Sequence, residues 1–236
     1  MKKFILFICL ILCSGGFCLK GGTIDHGVTS DPGSFYRDTT DKQLMLNGRI
    51  WRNLFYNVRG DQFLFTDSFL PGTLVINGKT WDNCSLRYDI YNDEIQTMSG
   101  NGIIVQLNKE MISAFSIKRD NKIYNFIKLE KDTLNPNEGY FNVLYSGSVS
   151  LLIKYQKRVL SLAVDGKYDA FEQTKRIYMV KGGRMFTISN RHSIIQLFGE
   201  YKQQIKSFLR SNKIDLSKES PDSYIPVAEF CDKLGR

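Results

Sequence analysis

Apolar and polar residues alternate with a period of two along most of the chain, from about residue 48 to residue 188. This period is typical of strands with one buried face, because successive side chains of a strand point to opposite sides of its sheet. The apolar stretches are short, and turn-forming residues rather than helical segments separate them. The pattern therefore predicts an antiparallel β-meander and disfavours parallel β-α-β topology.

The clearest single element is a hairpin centred on Asn77-Gly78. Both residues accept a positive φ, so they predict a two-residue turn between the apolar arms 72–76 and 79–81. The polar stretches 130–138 and 165–175 are predicted to be loops. Further strands are predicted over 85–90, 94–98, 103–107, 112–118, 123–129, 140–145, 149–155, 159–164, 176–180 and 184–188.

The apolar period changes to three and four residues after residue 190, which predicts helices. The first helix has Ser189 or Asn190 as its candidate N-cap, and Gly199 is expected to divide it into a short and a longer helix. A last helix is predicted from Pro221, with Ser220 as its N-cap. The predicted fold class is therefore β-rich α+β: an antiparallel β-meander, as a curved sheet or half-open barrel, with two to three C-terminal helices.

The first residues follow the order of a secretory signal peptide. Lys2-Lys3 precede the apolar run 4–12, and small residues follow it, so that cleavage falls after Cys18 or near Gly16. The run is too short for a permanent anchor, because a membrane-spanning helix needs about 20 residues. A lipid anchor is not expected, because Cys13 and Cys18 each follow a large apolar residue.

These patterns divide the chain into four segments. We predict a signal peptide over 1–18 and a polar leader over 19–45. The β-meander then occupies 46–190, and a helical cap of the same domain occupies 191–236. The chain length of 236 residues, with 42% hydrophobic residues, agrees with one medium-sized globular domain.

Two of the five cysteines, Cys84 and Cys231, lie outside the leader region. In an oxidising compartment they could form a disulfide, or they could be two separate buried thiols. We favour the separate thiols, because nothing in the sequence brings the two segments together.

The chain is basic, with 32 Lys and Arg against 24 Asp and Glu and a formal net charge of +8. Export argues against nucleic acid as a partner. A basic stripe on the second predicted helix either attracts anionic lipid headgroups or sugars, or is the solvated face of an amphipathic helix. The stripe consists of Lys202, Lys206, Arg210 and Lys213.

No catalytic constellation is visible in the sequence. His26 and His192 are the only histidines, and neither lies in a catalytic or metal-binding motif. Ser148 follows Gly147 but lacks the second glycine of a nucleophile elbow, and the stretch 89–94 fails as a calcium loop. We therefore assign no catalytic, cofactor-binding or metal-binding residue, and we expect no cofactor.

Six short segments together resemble an uncharacterised family of exported proteins from Bacteroidota-type bacteria. The likeness covers roughly residues 45–234, but no activity is assigned to that family, so the resemblance carries over no site residue. It implies export into a Gram-negative envelope and a strand-rich body with C-terminal helices. The segments are QFLF at 62–65, LPGT at 70–73, YDIYND at 88–93, QLNKE at 106–110, VLYSG at 143–147 and SPDSYIP at 220–226.

The sequence thus predicts an exported protein of the periplasm or the outer-membrane surface. We expect a non-catalytic binding or structural module for an unknown envelope protein, lipid or glycan, with peripheral membrane contact as one mode; the oligomeric state is left open. The alternative is a secreted hydrolase that uses the carboxylates of the predicted loop, Asp165, Asp169 and Glu172. Glycosidases, for example, need two carboxyl groups about 5–10 Å apart.

Overall fold

A computed structural model of the protein describes residues 46–133 and 135–234. The predicted signal peptide, the polar leader 19–45 and His26 lie outside the described residues. No helix within the described residues is long and apolar enough to cross a membrane.

The strands of the described region form one antiparallel sheet, so the predicted curved antiparallel sheet is confirmed, although its strands do not follow one another in chain order throughout. The strands are β1 (Gly48–Ile50), β2 (Leu70–Ile76), β3 (Lys79–Asp89), β4 (Glu94–Met98), β5 (Ile104–Leu107), β6 (Ile112–Arg119), β7 (Lys122–Leu129), β8 (Gly139–Tyr145), β9 (Val149–Val164), β10 (Tyr168–Lys181) and β11 (Arg184–Ile188). Their order across the sheet is β1-β5-β4-β3-β2-β6-β7-β8-β9-β10-β11.

The hairpin between β2 and β3 turns as the sequence predicts. Ile76 and Lys79 are cross-strand partners, so Asn77 and Gly78 alone form the turn. Their φ angles are 49° and 77°, a combination that asparagine and glycine tolerate better than other residues. The pairing of β2 with both β3 and β6 then makes this hairpin the middle of the sheet.

The predicted loop over 165–175 is wrong, and so is the division of the preceding strand into 149–155 and 159–164. One continuous strand, β9, runs from Val149 to Val164, and β10 begins at Tyr168. Only a tight turn joins them. The apolar alternation fades here because most residues in this part of the hairpin are exposed, and a strand without a buried face has no reason to alternate.

Three α-helices follow the sheet: α1 (Arg191–Leu197), α2 (Lys202–Ser211) and α3 (Ile225–Leu234). Asn190 caps α1, because its side chain accepts a hydrogen bond from the N–H of Ser193. A 3-10 turn over Gly199–Tyr201 separates α1 from α2, as the glycine predicts. The predicted last helix does start at Pro221, but as a 3-10 turn, and the Ser220 side chain makes no capping hydrogen bond.

The core has two main parts. One lies inside the curved sheet of β2 to β8 and contains Tyr88, Phe115, Phe126 and Tyr140; Phe115 and Phe126 stack with their ring centroids 4.5 Å apart. The other lies between β9 to β11 and the helices. The sheet curves far enough that the β3–β4 turn reaches β9, but its strands do not close into a barrel.

Cys84 and Cys231 are both buried and are not bonded to each other. They belong to the two different parts of the core, as expected for two separate thiols. Burial raises the pKa of both groups, that of Cys231 to about 12.

Candidate functional site

A cleft of about 660 Å³ opens at one end of the curved sheet. It is surrounded by β1, which lies at the edge of the described sheet, by the end of β5 and by the connection between β7 and β8. Its lining is mostly polar, with three cations and four carboxylates among the residues that form it. These charged residues are Arg49, Lys109, Lys128, Glu94, Glu110, Glu130 and Glu138.

A buried ionic cluster lies beside this cleft, centred on Asp93. The Asp93 carboxylate accepts a hydrogen bond from the Tyr88 hydroxyl, and one of its oxygens lies 2.8 Å from Lys109 Nζ. The same oxygen lies 2.9 Å from Nζ of Lys154, whose side chain is only 7% exposed. The cluster therefore joins the β3–β4 turn to β3, to the start of the 3-10 turn after β5, and to β9.

The turn that positions Asp93 is built by another aspartate. The carboxylate of Asp89, the last residue of β3, accepts hydrogen bonds of 2.9 Å from the backbone N–H groups of Tyr91 and Asn92. Such a side-chain turn substitutes for backbone pairing and reverses the chain. Asp93 then adopts a left-handed φ of 58°, and its side chain points toward β8 and β9.

The pKa values of the groups in the cluster shift in different directions. Burial acts to raise the pKa of Asp93, but Lys154, Lys109 and the Tyr88 hydroxyl outweigh it, so this pKa lies below its ordinary value. Burial lowers the pKa of Lys154, and the attraction of Asp93 offsets only part of that effect. Burial and the neighbouring Asp93 carboxylate raise the pKa of Tyr88 well above its usual range. Asp93 is therefore ionised at neutral pH, in contact with the ammonium groups of Lys109 and Lys154.

Gly139, the first residue of β8, lies between the cluster and the cleft. A Cβ atom at this position would stand 1.8 Å from Asp93 Oδ2 and 2.5 Å from Lys154 Nζ. Its φ of 95° also favours glycine. The close approach of this backbone is what allows the cluster to form directly next to the cleft.

Most of the charges that line the cleft are already paired. Arg49 lies 3.4 Å from Glu94, and Lys128 lies 2.7 Å from Glu130, while Lys109 is held by Asp93. Glu110 and Glu138 form no ion pair with any described residue. The cleft thus presents two carboxylates that are available to cationic or hydroxyl-bearing groups of a partner.

Sequence reasoning missed this site, because its members come from four separate elements. One signal was available: Lys154 interrupts an apolar run in β9, where a charged side chain needs a buried partner. Without the curvature of the sheet, nothing in the sequence pairs Lys154 with an aspartate about sixty residues earlier.

The carboxylates of the hydrolase alternative lie elsewhere, on the β9–β10 hairpin, and not in a loop. Asp165 is in the tight turn, Asp169 accepts a 2.9 Å hydrogen bond from the N–H of Leu162, and Glu172 lies 2.6 Å from Arg158. Asp169 and Glu172 are three positions apart on one strand, which places them on opposite faces. The structure therefore engages Asp169 and Glu172 in separate local contacts, one with the Leu162 backbone and one with Arg158.

The other candidates of the sequence take structural positions. His192 is exposed in the first turn of α1, and the Ser148 hydroxyl donates to Asp232 in α3 rather than to a histidine. Along α2, Ile205 and Leu209 are buried, Lys202 and Arg210 are exposed, and Lys213 of the predicted basic stripe lies beyond the end of the helix. Within the described ranges, no group of three or more His, Cys, Asp or Glu side chains is placed to hold a metal ion.

Comparison of the chain with protein families, with characterised proteins and with solved structures gave no match in any of the three.

Proposed function

We propose that this protein is an exported, non-catalytic component of the cell envelope that binds a basic segment of another envelope protein. The observation that carries the binding part is the cleft beside β1, where Glu110 and Glu138 form no ion pair with any described residue. Export is supported by the N-terminal pattern of the sequence.

The packing of the interior favours a partner at the surface. The space inside the curved sheet is filled by aromatic rings: Tyr88 contacts Phe115, Phe126 and Tyr140 with centroid distances of 5.1 to 5.9 Å. An apolar ligand of a few hundred Å³ would need a cavity in that place. A polar cleft at the rim of the sheet suits a hydrophilic partner better.

Two features of the cleft favour an extended, basic protein segment. Its unpaired carboxylates complement lysine or arginine side chains. It also lies along β1, an edge strand in the described part of the sheet, where the backbone groups of Gly48 and Ile50 point away from β5. A partner strand could pair with that edge while its side chains reach the carboxylates.

The proposal is tested with the purified mature protein and an oligolysine peptide, by isothermal titration calorimetry at low and at moderate salt. Removing both carboxylates in Glu110→Gln/Glu138→Gln should weaken binding by about tenfold or more, because each loses a charge-assisted contact. The control is Glu200→Gln/Glu229→Gln, which removes the same charge from exposed positions on the helical layer.

Equal weakening in both double variants would reduce the effect to net charge and contradict the cleft as the site. Turnover of ester, glycoside or peptide substrates by the purified protein would contradict the non-catalytic part of the proposal. Retention of the intact leader on protein found in the cytosol would contradict export.

A further inference from the structure

The outer half of the β9–β10 hairpin extends beyond the rest of the sheet. On one side, β8 pairs with β9 no further out than Ile153. On the other side, β11 pairs with β10 no further out than Ile177. The strands β9 and β10 nevertheless stay paired as far as Val164 and Tyr168. The last part of the hairpin is therefore a two-stranded arm.

The arm is held in a fixed position by the segment 55–63. Phe171 of β10 packs edge-on against Phe55 with the ring centroids 5.3 Å apart. Lys157 Nζ lies 3.0 Å from the Asp61 carboxylate and donates to the carbonyl oxygen of Phe63 at 2.7 Å. Arg59 exchanges backbone hydrogen bonds with Asp169 and Phe171. The end of the arm and residues 54–60 therefore form one surface.

This surface exposes large apolar side chains. Leu162 is 60% exposed, and Tyr56 and Leu54 are more exposed still. Tyr168, at the start of β10, is also exposed. Exposed apolar side chains that share one surface are typical of a contact site, whereas single exposed apolar residues are not.

The backbone conformation at Leu162 accounts for the exposure of its side chain. Residues 161–163 bulge out of the ladder opposite Asp169, between the Leu160–Ala170 and Val164–Tyr168 pairs. Leu162 has a φ of 53°, a region that leucine rarely adopts, and the Asp169 carboxylate holds its N–H at 2.9 Å. Bulges of this kind redirect a side chain, and strained residues persist where they serve a function.

Cations accompany the apolar side chains. The Arg59 guanidinium lies over the Tyr168 ring at 4.5 Å, and Lys167 is in the turn next to it. Arg59, Lys167, Tyr56 and Tyr168 line the same cleft of about 570 Å³. Asp169, whose carboxylate accepts the hydrogen bond from Leu162, also lines this cleft, and Asp165 lies in the turn.

We propose that this surface, the arm tip with residues 54–60, binds an anionic phospholipid bilayer. Leu162, Tyr56 and Tyr168 enter the boundary between headgroups and acyl chains, where tyrosine is favoured because one end of its ring is polar. Lys167 and Arg59 face the lipid phosphates. A narrow projecting tip with separated apolar side chains suits a deformable lipid surface better than a rigid protein face. The proposal is independent of the cleft beside β1.

The test is flotation of the purified mature protein with vesicles of phosphatidylcholine alone and of equal parts phosphatidylcholine and phosphatidylglycerol. The wild-type protein should float with the anionic vesicles, and less with the neutral ones. The double variant Leu162→Asn/Tyr56→Ser should lower the partition coefficient by about tenfold or more. Asparagine tolerates a left-handed φ, so this variant keeps the bulge and should unfold no earlier than the wild type.

The β6–β7 hairpin offers a matched control. Ile123 is 58% exposed there and faces the exposed Lys118 across the strands. Ile123→Asn/Lys118→Gln should leave flotation unchanged, whereas Lys167→Gln should weaken binding to anionic vesicles more than to neutral ones. An equal loss in the control variant would overturn the proposal. So would a wild-type protein that floats with neither kind of vesicle, an outcome that would favour a protein partner for this surface.

Discussion

The inner and outer halves of the β9–β10 hairpin share one hydrogen-bonded ladder but lie in opposite surroundings. In the inner half, Leu151 and Met179 are cross-strand partners with no exposed surface, covered by the helices. In the outer half, Leu162 and Tyr168 are exposed. Backbone pairing is therefore not what separates core from arm. The two halves differ in the burial of apolar side chains, and the inner half contributes most of the stability that this burial provides.

The change from core to arm occurs at Lys154. It is the last buried residue of β9, and the Asp93 cluster holds it at that point. A buried lysine is tolerated only with a partner, so the ionic cluster both ends the apolar core and ties the hairpin to the β3–β4 turn.

The largest effect is expected from Asp93→Asn. This change leaves the Lys154 ammonium buried without its carboxylate, and removing one partner of a buried ion pair costs about 3–5 kcal/mol of unfolding free energy. Urea denaturation followed by circular dichroism measures the loss. The double variant Asp93→Asn/Lys154→Met should recover part of it, because no uncompensated charge remains. A single variant as stable as the wild type would show that the boundary does not depend on the cluster.

A somewhat smaller loss of stability is expected when buried and exposed side chains of the two halves of the β9–β10 hairpin are shortened to alanine. Met179→Ala removes a fully buried side chain from the inner half and should cost about 2–5 kcal/mol. Val164→Ala in the outer half should change stability by less than about 0.5–1 kcal/mol, because little surface is lost from the core there. Equal losses, measured by urea denaturation, would mean that the arm is part of the cooperative core.

The same contrast explains how far the sequence predicted the fold. Where one face of a strand is buried, as in β2 at Leu74 and Ile76, the alternation is clear and the strand is predicted correctly. Along the outer half of β9 and β10 it is absent, and residues 165–175 were misread as a loop for that reason. The loop prediction also placed Asp169 and Glu172 as candidate catalytic groups, whereas each supports the local structure of the arm.

The candidate sites were less predictable than the fold, for a different reason. Asp93, Lys109 and Lys154 are brought together by the curvature of the sheet, which depends on many side chains at once and has no local signature. The bulge at Leu162 is equally hidden, because the left-handed backbone there belongs to a leucine rather than to a glycine or asparagine.

The stability contributed by Asp93 should depend on pH. Its pKa is lower in the folded than in the unfolded chain, so the unfolded chain binds the proton first as the pH falls. The contribution is therefore complete above the ordinary carboxyl pKa of about 3.9 and is lost as the pH falls through the lower, folded value.

The neighbouring Glu94 has the opposite shift, because burial raises its pKa. The difference in stability between wild type and Asp93→Asn, measured from neutral to acid pH, isolates Asp93, and it should shrink in acid. A constant difference would contradict this assignment.

The smallest effect is expected in the arm itself, at the exposed ion pair between Arg158 and Glu172. Their side chains are 66% and 41% exposed, and pairs of this kind contribute about 0–1 kcal/mol because solvent screens them. A double-mutant cycle with Arg158→Ala and Glu172→Gln should give a coupling energy in that range.

Lys157, one residue earlier, is only 11% exposed and contacts Asp61 and two backbone carbonyls, so Lys157→Met should lower the unfolding free energy clearly more than either change at the exposed pair. If the two positions instead proved equally tolerant, the contacts of Lys157 with Asp61 and Phe63 would not hold the arm in place. Leu162 and Tyr56 would then lose the common support that lets them act as one surface.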